Sequence, residues 1–334
     1  MIFLPRFLNP VLFQGVGKTR SYFEGWYFKQ TISSKNDLTQ RSIAIIPGIS
    51  WDAQGTGHAF IQTIDSLDGS STYFRFPVEA FCFQDKPFCV SIGVNRFSLQ
   101  SMHLDLQDEA IAIVADLSFH KLTPIRPIMG PYTFVPFMEC NHGIVSMHHE
   151  VTGSITLIRK DRDGELLSFT PGIGYIEKDW GRSMPSSWIW INAINFDGSA
   201  GPVSFFFSLA NIPWLRKHFN GFISVLHVDG REYRFATYRQ GHIDLLEYQG
   251  GILRILLSDR KYKVEILVRQ TDAGELVAPV HGTMDCRIGE CNNAWVRVVV
   301  KAKHRLSDAP LFDGITTGAG LELVGDIVRL AEKN

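Results

Sequence analysis

The segment from Tyr175 to Asn192, YIEKDWGRSMPSSWIWIN, brings carboxylates and tryptophans together in a pattern suited to acid chemistry. Along an extended strand, Tyr175, Glu177 and Asp179 point to one side, because side chains alternate between the two faces. Burial beside aromatic residues raises the pKa of a carboxyl group by disfavouring the anion. Such a group stays protonated near neutral pH and can act as an acid.

A second segment, FEGWYFKQ, repeats the combination of acid and aromatic residues. Glu24, Trp26 and Phe28 share one face of the predicted strand, and Tyr27 and Lys29 share the other. A carboxylate on an apolar wall is unfavourable unless it is paired or protonated. A purely structural interpretation is equally open for both segments, in which the acids form ion pairs and the tryptophans belong to ordinary cores.

Three histidines and a glutamate occur together in NHGIVSMHHE, residues Asn141–Glu150. Their spacing matches no zinc motif, so we expect no metal site. On a strand, His148 and Glu150 share a face that His149 does not. A role in proton handling is the favoured functional interpretation for His142 or His149.

The composition excludes several classes of protein. The chain has 334 residues and a formal net charge of −1, which gives no reason to expect nucleic acid as a partner. No apolar run approaches the ~20 residues of a membrane span, and Pro5 and Pro10 interrupt the apolar N-terminus, so we expect no signal peptide. The 5 cysteines show no CxxC pair, which favours reduced thiols in the cytoplasm.

Short strand patterns dominate the chain and favour an all-β fold. The two halves also resemble each other: GWYFKQ has a counterpart in SWIWIN, and Phe60–Phe76 has one in Phe222–Phe235. Trp26 and Trp188 are separated by the same 162 residues as Phe60 and Phe222. This offset predicts a duplication with two antiparallel β-barrels of roughly eight strands each, with little helix.

The predicted domains are residues 1–183 and 184–334, each a β-barrel, and the segment around residues 177–187 crosses between them. Two Asp-Gly pairs, ending at Gly69 and Gly230, are expected to form tight hairpin turns. The proline-rich stretch Leu122–Gly143 is either a functional loop or an irregular crossing inside the first unit.

Several of these motifs resemble those of the tocopherol cyclase family. The motifs are YFEGWYFK, FMECNHGIVSMHHEVTGSI, YIEKDWGRSMPSSWIWIN, NPVLFQG and GAGLELVGD, and together they cover nearly the whole chain. The family is similar in turn to the AttH and carotenoid hydratase group, which has two lipocalin-like (calycin) barrels, and the resemblance implies that these pack side by side. The resemblance implies cyclisation of a prenylated hydroquinone to a chromanol, with no cofactor and no redox step.

The resemblance and the demands of that reaction assign roles to residues. Protonating the alkene needs a buried acid, for which Asp179 is the first candidate and Glu24 the second, with His142 as a further catalytic residue. Aromatic faces stabilise the cation that follows. At least three of the tryptophans are expected to border one cavity at the barrel junction. The predicted substrate-binding residues are Trp26, Trp51, His58, His149, Trp180, Trp188 and Trp190.

The expected partner is a hydrophobic small molecule, a prenylated quinol or a lipid, with room for transient contact with a membrane surface. A rival interpretation is a lipocalin-like binding protein that holds an apolar ligand without transforming it. A buried acid that has no basic partner and lies within reach of an open cavity would favour catalysis. If Asp179 and Glu24 are both locked in salt bridges away from any cavity, binding is the better hypothesis.

Overall fold

The computed structural model describes residues 5–33, 40–135, 138–161, 163–197, 201–214, 217–303 and 309–331. The fold is all-β, as predicted, and consists of two antiparallel sheets that follow one another along the chain. Among the described residues, no helix combines the length and apolar character needed to span a bilayer.

The first sheet contains eleven strands in the order β4-β3-β2-β1-β11-β10-β9-β8-β7-β6-β5. Its strands are β1 Tyr22–Ser33, β2 Gln40–Trp51, β3 Gly57–Asp65, β4 Ser71–Pro77, β5 Phe81–Asp85, β6 Phe88–Ile92, β7 Asn95–Ser98, β8 Ser101–Gln107, β9 Ile111–His120, β10 Cys140–Arg159 and β11 Glu165–Gly181. Apolar side chains from both ends of this order, such as Ile61 and Val90, belong to one buried core. The sheet therefore curls around that core.

The second sheet has ten strands in the order β15-β14-β13-β12-β21-β20-β18-β17-β16, with β19 paired to β20. They are β12 Trp188–Ile194, β13 Ser204–Trp214, β14 Lys217–Val228, β15 Arg231–Ala236, β16 His242–Gln249, β17 Ile252–Ser258, β18 Tyr262–Arg269, β19 Gly274–Val280, β20 Thr283–Ala302 and β21 Phe312–Val324, followed by helix α1 Ile327–Leu330. Tyr233 of β15 packs against Tyr262 of β18, with ring centroids 5.6 Å apart. This contact brings the β15 end of the sheet against β18, so the second sheet also curls on itself.

The two sheets share one topology. In each, four consecutive strands form a meander whose first strand then pairs with the last long strand, β11 or β21. Trp26 and Trp188 lie on the equivalent strands β1 and β12, and Phe60 and Phe222 on β3 and β14. The predicted count of about eight strands was too low, because short extra hairpins lengthen both sheets.

Only one of the two predicted Asp-Gly turns is a two-residue hairpin. Asp229 and Gly230 join β14 to β15 with φ values of 51° and 70°, the double left-handed conformation of a type I′ turn. The other pair lies within a longer loop, residues 66–70, in which Gly69 has a φ of 68°.

The alternation along β1 and β11 divides their side chains between two environments. Trp26 and Phe28 face the core of the first barrel, whereas Tyr27 belongs to a third apolar cluster shared with the second barrel. Since Trp26 pairs with Lys178 and Tyr27 with Glu177, the same division applies to β11. The face of β11 that carries Glu177 and Asp179 therefore points toward the second barrel.

The apolar N-terminal segment packs against the other face of β1 and β11, the face that points into the core of the first barrel. The Trp26 indole donates to the carbonyl of Val11 at 3.2 Å, and the backbone N–H of Gln14 donates to both carboxylate oxygens of Glu24. Phe13 packs in the barrel core. This segment is thus part of the fold.

Candidate active site

A cavity lies between the two barrels, with about 1370 Å³ of free space between its walls, the open mouth included. Its lining is mostly apolar. The side chains that can carry a charge at neutral pH are five acids and one histidine. The proline-rich stretch supplies part of the wall through Met129, Tyr132 and Met138, while residues 136 and 137 lie outside the described ranges. The titratable side chains of the lining are Tyr27, Tyr132, Glu139, Cys140, His142, Glu177, Asp179, Glu290 and Glu322.

Two of the predicted tryptophans line this cavity. Trp188 and Trp190 point to the same side of β12 because they are two residues apart. The Trp190 indole donates to Oε2 of Glu177 at 3.2 Å, and the Trp188 indole donates to Glu322. Each tryptophan therefore presents a ring to the cavity and holds a carboxyl group in place.

Glu177 is a buried carboxyl group on the cavity wall. Its Oε2 accepts hydrogen bonds from the Tyr175 hydroxyl and the Trp190 indole. Burial raises the pKa of Glu177 to about 7, mainly because desolvation disfavours the anion, while nearby His142 opposes the rise. Near neutral pH this carboxyl group is present in both its acidic and its basic form.

His142 and Asp179 form a hydrogen-bonded pair beside Glu177. They face each other in the register of β10 and β11, and Nδ1 of His142 lies 2.8 Å from Oδ1 of Asp179. Burial lowers the pKa of His142, but the charges of Asp179 and Glu177 raise it to about 9. The imidazole is therefore protonated at neutral pH, and the expectation that Asp179 is the proton donor stays a prediction.

The ligand atoms of His142, Glu177 and Asp179 lie within 4.8 Å of one another, which raises the question of a metal ion. The two carboxylates contact different nitrogens of the ring: Nδ1 faces Asp179, and Nε2 is 3.5 Å from Glu177. A metal ion binds the neutral form of an imidazole, whereas the raised pKa of His142 favours the protonated ring at neutral pH. A protonated imidazole between two carboxylates accounts for the arrangement.

Glu24, the second predicted acid, is not at the cavity. Its side chain is fully buried inside the first barrel, where Nζ of Lys178 lies 2.7 Å from Oε1 and the Tyr22 hydroxyl donates to Oε2 at 2.6 Å. The structure does not bring Glu24 to this cavity, because in the register of β1 and β11 it shares the core-facing side with Lys178.

Trp26 and Trp180 pack against Lys178 of the same ion pair and do not line the cavity. Nζ of Lys178 lies 4.9 Å from the ring centroid of Trp26 and 4.7 Å from that of Trp180. Trp51 packs half-buried against the first core. With only Trp188 and Trp190 of the five predicted tryptophans on the cavity wall, the expected number of at least three was too high.

The two remaining predicted contacts, His58 and His149, also lie away from the cavity lining. Nε2 of His58 is 2.6 Å from the Tyr73 hydroxyl. His149 is buried against Phe119, and neither of its ring nitrogens has a hydrogen-bond partner among the described residues. Burial lowers the pKa of His149 to about 3, so this histidine is neutral at physiological pH.

Sequence reasoning missed Tyr27 as a cavity residue and missed Glu290 and Glu322 entirely. Both glutamates occur in strand patterns, and Glu322 lies in GAGLELVGD, a motif already singled out. Their meeting depends on the pairing of β20 with β21, which contains two register shifts. A register with such irregularities cannot be read from alternation alone.

Comparisons with known proteins agree with this architecture. CghA is similar in structure at 11% identity, over 97% of this chain and 94% of that chain, with a TM-score of 0.59. Its complex with Sch210972 matches at 12% identity over 92% and 89%, with a TM-score of 0.53. Kievitone hydratase from Nectria haematococca matches at 10% identity over 91% and 90%, also with a TM-score of 0.53.

The sequence itself matches the family model described as tocopherol cyclase-like over residues 119–325. The match includes the strands that carry His142, Glu177, Asp179 and both cavity tryptophans. Because it spans more than half of the chain, the protein belongs to the tocopherol cyclase-like family.

Proposed function

We propose that this protein cyclises a prenylated hydroquinone to a chromanol in the cavity between its barrels, by proton transfer and without a cofactor. The observation that carries the proposal is Glu177, a buried carboxyl group on an apolar, aromatic cavity wall with a pKa raised to about 7. General-acid catalysis is most effective when the pKa of the acid lies near the working pH. Membership of the tocopherol cyclase-like family supports the same reaction class.

Glu177 is the proposed donor to the alkene of the substrate. Its proton bonds to the less substituted alkene carbon, and the resulting tertiary cation is attacked by the phenol oxygen. The His142–Asp179 pair acts behind Glu177: the imidazolium lies 3.5 Å from Oε2 and stabilises the carboxylate that remains after proton transfer. Asp179 in turn holds the ring through the 2.8 Å hydrogen bond.

The cavity walls suit the cationic intermediate. The rings of Trp190 and Tyr27 lie edge to face, with centroids 5.3 Å apart, and both border the cavity with Trp188. Aromatic faces attract a cation, most strongly when water is absent. A predominantly apolar lining also limits capture of the cation by water before the ring closes.

The test is conversion of a prenylated hydroquinone by the purified protein in deuterated buffer, with and without a chelator. The expected product is an isomer of the substrate: the former alkene carbon gains one non-exchangeable deuterium, the phenol oxygen loses its exchangeable one, and chelation leaves the rate unchanged. Glu177→Gln should lower kcat by about 10²–10⁴-fold, because an amide cannot donate the proton.

The matched control is Glu79→Gln, at an exposed position on the first barrel, which should behave like the unaltered protein. Conversion that survives Glu177→Gln would refute the assignment of the acid. Tight binding of the hydroquinone without any conversion would refute the enzyme and establish the alternative, a binding protein for apolar quinols or lipids.

A further inference from the structure

Glu290 and Glu322 form a pair of carboxyl groups on the second barrel's side of the cavity. They are direct cross-strand partners on β20 and β21, so their side chains stand next to each other on one face of the sheet. Both line the cavity, and Glu290 is only 1% exposed. The mechanism proposed above uses neither of them.

Neighbouring groups hold the pair in position, and the two carboxyl groups share a hydrogen bond with each other. Oε1 of Glu290 accepts a hydrogen bond from the Tyr27 hydroxyl at 2.6 Å and another from the Asn292 amide. The Trp188 indole donates to Oε2 of Glu322. Apart from the Glu322 carboxyl group, no described residue donates a hydrogen bond to Oε2 of Glu290.

The pair retains a proton at neutral pH. Burial raises the pKa of both carboxyl groups, and for Glu322 the neighbouring Glu290 charge raises it further. Two adjacent buried carboxylates repel each other, so one of them holds a proton. A carboxylic acid beside a carboxylate then presents one hydrogen-bond donor and one acceptor, which is the complement of a hydroxyl group.

We propose that the Glu290–Glu322 pair binds a hydroxyl group of the ligand and accepts its proton during ring closure, the second role resting on the proposed function. The phenolic O–H bond breaks, its proton passes to the Glu290 carboxylate, and the oxygen bonds to the tertiary carbon. Glu177 loses one proton to the alkene and Glu290 gains one from the phenol, so the number of protons on the protein is unchanged. Exchange with solvent after product release restores both groups, and no oxidant or reductant takes part.

The arrangement also orients the substrate. Trp190 donates to Glu177 and lies opposite Glu322 in the register of β12 and β21, so its indole stands between the two proton-handling centres. The hydroxyl-bearing ring is thereby placed at the second barrel and the alkene at the first. The cation forms over the aromatic residue between them.

The experiment measures binding with a ligand that cannot react. The probe is a hydroquinone whose side chain is saturated, compared with its O-methyl ethers, and the readout is quenching of tryptophan fluorescence. The protein should bind the free hydroquinone about tenfold or more tightly than the ether, as is typical of hydrogen bonds to charged groups. Glu290→Gln should reduce that preference to less than threefold. A carboxylate can only accept a hydrogen bond, whereas the amide N–H of glutamine can donate one to the ether oxygen as well as to the hydroxyl oxygen.

Glu265→Gln, at an exposed position on β18, is the matched control and should keep both affinities. Circular dichroism and thermal melts report whether each variant is folded, and Glu322→Gln provides a second variant with the same expected loss of preference. A folded Glu290→Gln protein that still prefers the free hydroquinone tenfold would overturn the proposal.

The two proposals fail in different ways. If the protein prefers the hydroquinone through Glu290 yet never converts a prenylated one, the hydroxyl site stands and the enzyme proposal fails. If it converts the substrate and Glu290→Gln converts and discriminates equally well, the enzyme proposal stands and the hydroxyl site fails.

Discussion

Glu24 and Lys178 form an ion pair in which neither side chain is exposed, with Nζ 2.7 Å from Oε1. The ammonium group also donates to the carbonyl of Leu12 at 2.5 Å and lies between the rings of Trp26 and Trp180. The pair joins β1, β11 and the N-terminal segment inside the first barrel. Its role is therefore structural, although its acid and its tryptophans belong to the motifs that predict chemistry.

Replacing one member of this pair should destabilise the protein without altering the site. Glu24→Gln leaves the buried Lys178 ammonium unpaired, which typically lowers the free energy of unfolding by about 3–5 kcal/mol. Denaturant titration measures the loss. The folded variant should bind hydroquinone normally, and Glu247→Gln in the exposed pair with Arg254 should leave stability nearly unchanged. A full-stability Glu24→Gln protein would contradict the structural role.

The rate of conversion should fall at high pH. In the proposed mechanism Glu177 is the acid and is protonated below its pKa of about 7, so kcat should decline tenfold per pH unit above that value. His142, with a pKa raised to about 9, remains protonated over the first part of this decline. A pH–rate profile from pH 5 to 9 checks the sign, and a rate that rises with pH would identify a base as the essential group.

Trp190→Phe should move that profile to higher pH. The change keeps an aromatic ring beside the cavity but removes the indole N–H that donates to Glu177. That hydrogen bond lowers the pKa of Glu177, so its loss raises the pKa further and extends the active range upward. A profile with an unchanged midpoint would mean that Glu177 is not the titrating acid.

His149 should make the fold sensitive to acid. Its folded-state pKa of about 3 lies below the ordinary value of 6.5, so the stability linked to its neutral form is complete above pH 6.5. That stability is lost as the pH falls from 6.5 toward 3, because the unfolded state binds one proton more. His149→Phe should reduce the slope of the unfolding free energy by about 1.4 kcal/mol per pH unit in this window. An unchanged slope would exclude His149 as a source of the acid sensitivity.

The fold was more predictable than the site, and the reason lies in what alternation encodes. The strand patterns and the 162-residue repeat indicate two similar β units, because side-chain alternation depends only on neighbours in sequence. Alternation also places Glu177 and Asp179 on one face and Lys178 on the other. It does not reveal which face of a strand meets the second barrel. For this reason Glu24 is a candidate acid from the sequence, although its side chain faces the core of the first barrel.

The hydrogen-bond partners of the acids could not be predicted from the sequence for a second reason. Asp179 pairs with His142, 37 residues earlier, and Glu290 accepts from Tyr27, 263 residues earlier. These distances along the chain are closed only by strand pairing and by packing of one barrel on the other. The pKa values of these groups depend on that packing, so neither the protonated imidazole nor the carboxyl pair could be inferred from composition.

The hydrogen bond from Tyr27 to Glu290 joins side chains of the two halves of a duplicated chain at the wall of one cavity. Neither half holds both of the proposed proton-handling centres, Glu177 and the Glu290–Glu322 pair, so the proposed chemistry depends on how the two halves are oriented toward each other. A small rotation of one barrel against the other would change the distance between alkene and hydroxyl that the cavity accepts, while both cores stayed intact. Under the proposed mechanism, substitutions where the two barrels meet can therefore change which substrates are accepted. Such substitutions avoid the loss of stability that accompanies changes in a hydrophobic core.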